Sequence, residues 1–179
     1  MKYALAFLAL LPAAASGETQ YWDYKDWRII VDTVDTGEDL RVTCRAMTGG
    51  DGLRSLAIEV SNGDTLPPDH YPAPVLHESA PRGYDTVMQD GQRVLFQFSL
   101  DDLTEGFVTA GLNDEGIKVA TARAHEGDSL WMLQTMRTGD MLSVTLEGEL
   151  VYRASLSGFT AAYGKIAEQC GFPTTGVIE

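Results

Sequence analysis

The sequence is poor in cysteine, in histidine and in basic side chains, and each shortage narrows what the chain can do. Two cysteines, Cys44 and Cys170, allow a single disulfide and nothing more elaborate. Three histidines, His70, His77 and His125, are few for a zinc site, which needs three or four convergent ligands. Thirteen Lys and Arg stand against 26 Asp and Glu. A chain with that balance is repelled by nucleic-acid phosphates and by anionic lipid, so both partner classes are excluded. No internal repeat or low-complexity linker divides the 179 residues, which suffice for one domain with a real core.

Long apolar runs are also missing. The one candidate, 4–11, follows Lys2 and precedes Ala13-Ala14-Ala15-Ser16. This is the layout of a secretory signal, and it is too short to span a bilayer. The expectation is a leader over 1–17 and a single β-rich domain over 18–179, periplasmic or secreted. No cysteine follows the small residues, so lipid attachment there is not expected, and no later stretch reads as a membrane span. The leader holds one basic residue and no acidic one, leaving 12 basic against 26 acidic residues, a net charge of −14. Such a surface promotes solubility and suits a basic partner.

What is present reads mostly as strands. Trp27, Ile29 and Val31 share one face of a strand over 27–34, and Asp35-Thr36-Gly37 turns it. Leu40, Val42, Cys44 and Ala46 alternate with Arg41, Thr43 and Arg45, the period of a half-buried strand. Gly49-Gly50-Asp51-Gly52 reads as a loop, and Leu56, Ile58 and Val60 mark the next strand. Strands follow over 93–98, 107–112 and 117–122, the last two joined at Asn113-Asp114-Glu115-Gly116. Two more lie around Glu147-Gly148-Glu149.

Between them, 62–91 holds five of the seven prolines: Pro67, Pro68, Pro72, Pro74 and Pro81. Proline removes a ladder donor, so this segment is expected to be a long surface loop with at most a short extended piece at 75–78. Loops of that length are uncommon and often carry function.

Two helices complete the pattern. Asp128 is placed to cap a short helix through Thr138, ended by Gly139. Ser157 is placed to cap a terminal helix near 158–170. There Phe159, Ala162, Tyr163, Ile166 and Cys170 form one stripe, with Gly171 as the stop. Cys44 and Cys170 both fall on buried faces, so a bridge between them would pin the terminal helix to the sheet. The fold class is mainly β: one antiparallel sandwich or barrel-like domain with two helices.

Few residues offer chemistry. Asp35-Thr36-Gly37 matches an aspartic-protease triplet, but those enzymes need two such aspartates and a hairpin turn accounts for this one. Gly127-Asp128-Ser129-Leu130 matches a hydrolase nucleophile motif, with His125 as the available base, although no histidine lies downstream. His70 and His77, with Asp69 and Glu78 beside them, form the one candidate metal set. Asp32, Asp35, Glu38, Asp39, Asp101 and Asp102 lack the spacing of a calcium loop. Tyr21, Trp22, Tyr24 and Trp27 cluster near the start of the domain. Trp27 belongs to the core. Trp22 and Tyr24 either pack against the domain or form an aromatic patch.

Ser129-Leu130-Trp131-Met132-Leu133-Gln134-Thr135-Met136-Arg137-Thr138-Gly139, then Leu142-Ser143-Val144-Thr145-Leu146, then Ala154-Ser155-Leu156-Ser157-Gly158-Phe159-Thr160-Ala161-Ala162, together resemble the invasion-associated locus B family of bacterial periplasmic proteins. Asp26-Trp27-Arg28-Ile29, followed by the strand of Cys44, fits the same pattern. The resemblance implies an exported, small β-sandwich-like domain with a terminal helix and no catalytic residues. The single N-terminal cysteine and the long proline loop depart from that pattern.

The reading that follows is a non-enzymatic periplasmic binding or envelope-associated module. It would engage a basic envelope protein through the 62–91 loop, with His70, Tyr71, His77, Arg82 and Tyr84 as candidate contacts. No cofactor, metal or catalytic set is assigned. The alternatives are a small serine hydrolase using Ser129 and His125, and a metal-binding protein using His70 and His77.

Overall fold

The computed structural model describes residues 16–50, 54–64 and 67–178. The expected leader, apart from its last two residues, and Asp51 and Gly52 of the expected loop lie outside them.

The chain is mainly β, with ten strands in one antiparallel sheet and two α-helices among the described residues. The strands are β1 (Ser16–Tyr24), β2 (Trp27–Asp35), β3 (Leu40–Gly49), β4 (Arg54–Ser61), β5 (Val75–Ser79), β6 (Arg93–Gln97), β7 (Leu103–Leu112), β8 (Lys118–Ala124), β9 (Met141–Leu146) and β10 (Glu149–Ser155). Helix α1 (Ser129–Thr138) lies between β8 and β9, and α2 (Phe159–Cys170) follows β10. The strand order across the sheet is β1-β2-β3-β4-β5-β8-β7-β6-β9-β10. The first five strands form a meander. The chain then crosses to β6, returns through β7 and β8 to lie beside β5, and uses α1 to reach β9.

The sheet does not close into a barrel, because β1 and β10 do not pair. It folds over so that β10 meets the β2–β4 end. Trp27 Nε1 donates to the Ser155 carbonyl at 3.0 Å, Arg54 Nη1 to the Val151 carbonyl at 3.3 Å, and the Tyr152 hydroxyl to the Thr48 carbonyl at 3.1 Å.

Alternation decides which side chains enter the core. Ile29, Val31, Cys44, Ala46, Leu56, Ile58, Val60 and Leu76 are all buried on the inner face. Met132, Leu133 and Met136 of α1, and Phe159, Tyr163 and Ile166 of α2, close over them. Trp27 packs edge-on to Phe159 at 5.2 Å, and Trp131 edge-on to Phe98 at 5.7 Å. Cys44 and Cys170 are joined, with Cα atoms 6.2 Å apart, and the bridge fixes the end of α2 to β3.

Four expectations need correction. A strand, β1, precedes Trp27. It contains Tyr21, Trp22 and Tyr24 of the aromatic cluster, and its first two residues fall inside the stretch read as leader. Trp22 and Tyr24 are half-buried against the core, and Lys165 Nζ sits 4.6 Å above the Trp22 ring. The 62–91 segment is not one loop. β5 lies in the interior of the sheet, bonded to β4 and β8, because Pro72, Pro74 and Pro81 flank it without interrupting it. His77 is therefore a strand residue.

The other corrections concern helix ends. Asp128 precedes α1 but makes no cap bond, since its carboxylate takes the Thr104 hydroxyl. Ser157 is not the cap of α2. Gly158 is, with φ 102°, because a Cβ there would stand 2.0 Å from the Tyr24 carbonyl oxygen.

Candidate functional site

Glu59 projects from the outer face of β4, between Ile58 and Val60, which point inward. Arg45 lies directly opposite on β3. Its Nε is 2.6 Å from Glu59 Oε1, and His77 Nε2 is 3.2 Å from the same oxygen. These are ion-pair distances. The three side chains form a polar arch on the outer face beside Ala57 and Val75, paired neighbours that are buried there. Burial pushes the Glu59 carboxyl up, but His77 and Arg45 outweigh it and hold the group below the ordinary carboxylate range.

Beyond this arch the sheet opens into a cleft of about 400 Å³. Glu59 and Val60 supply the β4 wall. Asp64, Asp69, His70, Pro72 and Ala73 come from the connection to β5, while Arg123 is the penultimate residue of β8 and Glu126 opens the following 3-10 turn. Four carboxylates thus face one guanidinium and one imidazole. Asp64 is held by the Ser61 backbone N–H, which donates to it at 2.7 Å. The floor is ordered sheet and the acidic rim sits on loop, an arrangement suited to a cationic group entering from solvent.

The expected contacts do not all converge. His70 is exposed and lines the cleft. His77 reaches its rim through Glu59. Tyr71 is half-buried, and its hydroxyl donates to the Thr175 carbonyl at 3.1 Å, which ties it to the C-terminal segment. Arg82 and Tyr84 follow β5 at its opposite end, and Tyr84 is 69% exposed. Of the five, His70 lines the cleft, His77 touches it only through Glu59, and the other three lie away from it. Glu59, Arg123 and Glu126 were missed. The first had a signal in sequence, because an acid inside the 54–61 alternation must point outward and pairs with a base of the preceding strand.

Ser129 is 1% exposed and its hydroxyl has no hydrogen-bond partner. His125 is exposed, with Nδ1 3.8 Å from Asp128 Oδ2. The serine and histidine are thus not joined, and the hydroxyl is out of reach of an ester. Asp35 accepts from the Gly37 N–H at 2.8 Å as part of the β2–β3 turn. Among the described residues no group of three or more His, Cys, Asp or Glu side chains is placed to hold a metal ion. No helix among them is long and apolar enough to cross a membrane.

Fold and cleft together define a disulfide-linked antiparallel β domain with an acidic recess on its outer sheet face. No family model, curated protein or solved structure matches the chain.

Proposed function

We propose that this protein is an exported, non-enzymatic binding module that receives a basic group of a protein partner in the cleft between β4, β8 and the 62–73 connection. The carrying observation is the concentration of Glu59, Asp64, Asp69 and Glu126 around one recess of about 400 Å³. Export to the periplasm is supported by the leader-like N-terminus and by the Cys44–Cys170 bridge, which is compatible with an oxidising compartment. The segments resembling the invasion-associated locus B family form α1, β9 and the start of α2, so kinship with that family is part of the same proposal. The partner class is a basic envelope protein, with a cell-wall hydrolase such as a lysozyme as its specific form.

The test is a calorimetric titration of the oxidised protein with a lysozyme. Binding is expected at about 50 mM salt and is expected to be lost near about 500 mM, because exposed charges are screened over a few ångströms there. The combined Asp64→Asn, Asp69→Asn and Glu126→Gln variant is expected to weaken it. Binding that is absent at low salt, or equal in the variant, overturns the reading.

A further inference from the structure

A single open sheet has two edges, and this protein treats them differently. At β10 two backbone acceptors are taken up within the molecule. The Val151 carbonyl accepts from Arg54 and the Ser155 carbonyl from Trp27, as the edge folds against the β2–β4 end. At β1 nothing comparable happens. The strand is nine residues long and pairs only with β2. It contains no proline and no lysine, the residues that most often guard an edge.

The register shows which groups are open. The β1–β2 hairpin turns through Lys25 and Asp26, and Tyr24 and Trp27 close it. In a two-residue hairpin the closing pair is hydrogen-bonded, so every second residue back from Tyr24 directs its N–H and C=O to β2. The intervening residues, Gly17, Thr19, Tyr21 and Asp23, direct theirs outward. No described residue bonds to those backbone groups.

We propose that the outer edge of β1 binds β1 of a second copy of this chain, antiparallel about a two-fold axis at Gln20. Three observations select this occupant and this register. First, Gln20 is the midpoint of Ser16–Tyr24, so a two-fold there uses the full strand. It pairs outward groups only with outward groups: Gly17 with Asp23, and Thr19 with Tyr21. Four such pairs, each exchanging two bonds, give about eight hydrogen bonds in the full-length chain, and removal of a leader through Gly17 leaves the two Thr19–Tyr21 pairs with about four.

Second, the charges fit. Axes at Glu18 or Asp23 place identical acids opposite each other, which destabilises a pair. The axis at Gln20 sets Asp23, already paired with Arg28 at 2.9 Å, against the side-chain-free Gly17. It sets Glu18 against Trp22, whose ring carries the Lys165 ammonium 4.6 Å from its centre. Third, β10 lies against the β2–β4 end with its Val151 and Ser155 carbonyls already taken, so it does not offer the uninterrupted ladder that β1 does, and association stops at an isologous dimer.

The test uses the full-length oxidised protein. Directly opposed residues of a non-hydrogen-bonded antiparallel pair lie about 4.5 Å apart at Cα, inside the range a disulfide tolerates. Gln20→Cys is expected to give a covalent dimer on mild oxidation. Thr19→Cys, whose neighbour across the axis is Tyr21, is expected to stay monomeric under the same oxidant. Tyr21→Pro removes an outward N–H and no backbone bond to β2, and should raise the dimer dissociation constant about tenfold or more in sedimentation. A folded Gln20→Cys protein that remains monomeric overturns the proposal. So does equal cross-linking of the two cysteine variants.

Discussion

Glu78 and Arg54 face each other across β5 and β4 on the inner side of the sheet, and Glu78 is only 2% exposed. Arg54 Nη2 donates to Glu78 Oε1 at 2.5 Å, the Val87 N–H to the same oxygen at 3.1 Å, and the Met88 N–H to Oε2 at 2.9 Å. One buried carboxylate thus holds the crossover from β5 to β6 against the sheet while neutralising a nearly buried guanidinium. Breaking such a pair from one side leaves an uncompensated charge. Glu78→Ala is expected to lower unfolding free energy by about 3–5 kcal/mol in urea titrations. Replacing both partners together, Arg54→Met with Glu78→Leu, should cost clearly less. An additive double variant would contradict this account.

The Cys44–Cys170 bridge closes a loop of 126 residues. Cross-linking residues that far apart removes much conformational freedom from the unfolded chain. Cys170→Ser is expected to destabilise the protein by about 2–5 kcal/mol relative to the oxidised parent. In the reduced parent, thermal unfolding should shift by a similar amount, which separates loss of the bridge from loss of packing at that site.

Acid sensitivity should trace in part to Glu59. Its folded carboxyl lies below the ordinary value, held there by His77 and Arg45 against the opposing effect of burial. A depressed folded value means that the unfolded chain takes up the proton first as pH falls. The stabilisation is therefore complete above the usual carboxylate range and disappears as pH drops through the depressed value. Glu59→Gln is expected to be less stable than the parent near neutrality and to lose less stability on acidification. Urea midpoints at neutral pH and at about pH 3 test both halves.

Ser129→Ala is expected to leave stability within about 1 kcal/mol of the parent, or to raise it. The hydroxyl is buried without a partner, so removing it relieves desolvation and breaks no bond. The same variant tests the hydrolase alternative. Ester turnover by the parent that vanishes in Ser129→Ala would show that the buried hydroxyl becomes reachable.

The strands and both helices were legible wherever one face meets the core and the other meets water. Cys44 and Cys170 could be paired in advance because each lay on such a face. β5 showed only as a short extended piece at 75–78 within an expected loop, for the opposite reason. Val75 is buried on its outer face as Leu76 and Glu78 are on the inner, so no alternation marked it, and the nearby prolines pointed to loop. β1 was hidden because six of its nine residues in a row are exposed, leaving no apolar face to detect. The cleft shares this difficulty: its walls come from β4, β8 and a connection far apart in sequence, and only pairing through β5 brings them together. The cap at Gly158 depended on a close approach to Tyr24 that no local pattern encodes.

The same bridge also divides the molecule mechanically. A pull applied to the two ends would run through Cys44 and Cys170 and bypass everything between them, from the last part of β3 to the end of α2. Among the described residues, only the β1–β2 hairpin, the first part of β3 and the segment after Cys170 would carry load and pay out length. Under tension the protein should therefore behave as a short tether attached to a covalently closed, unstretched body.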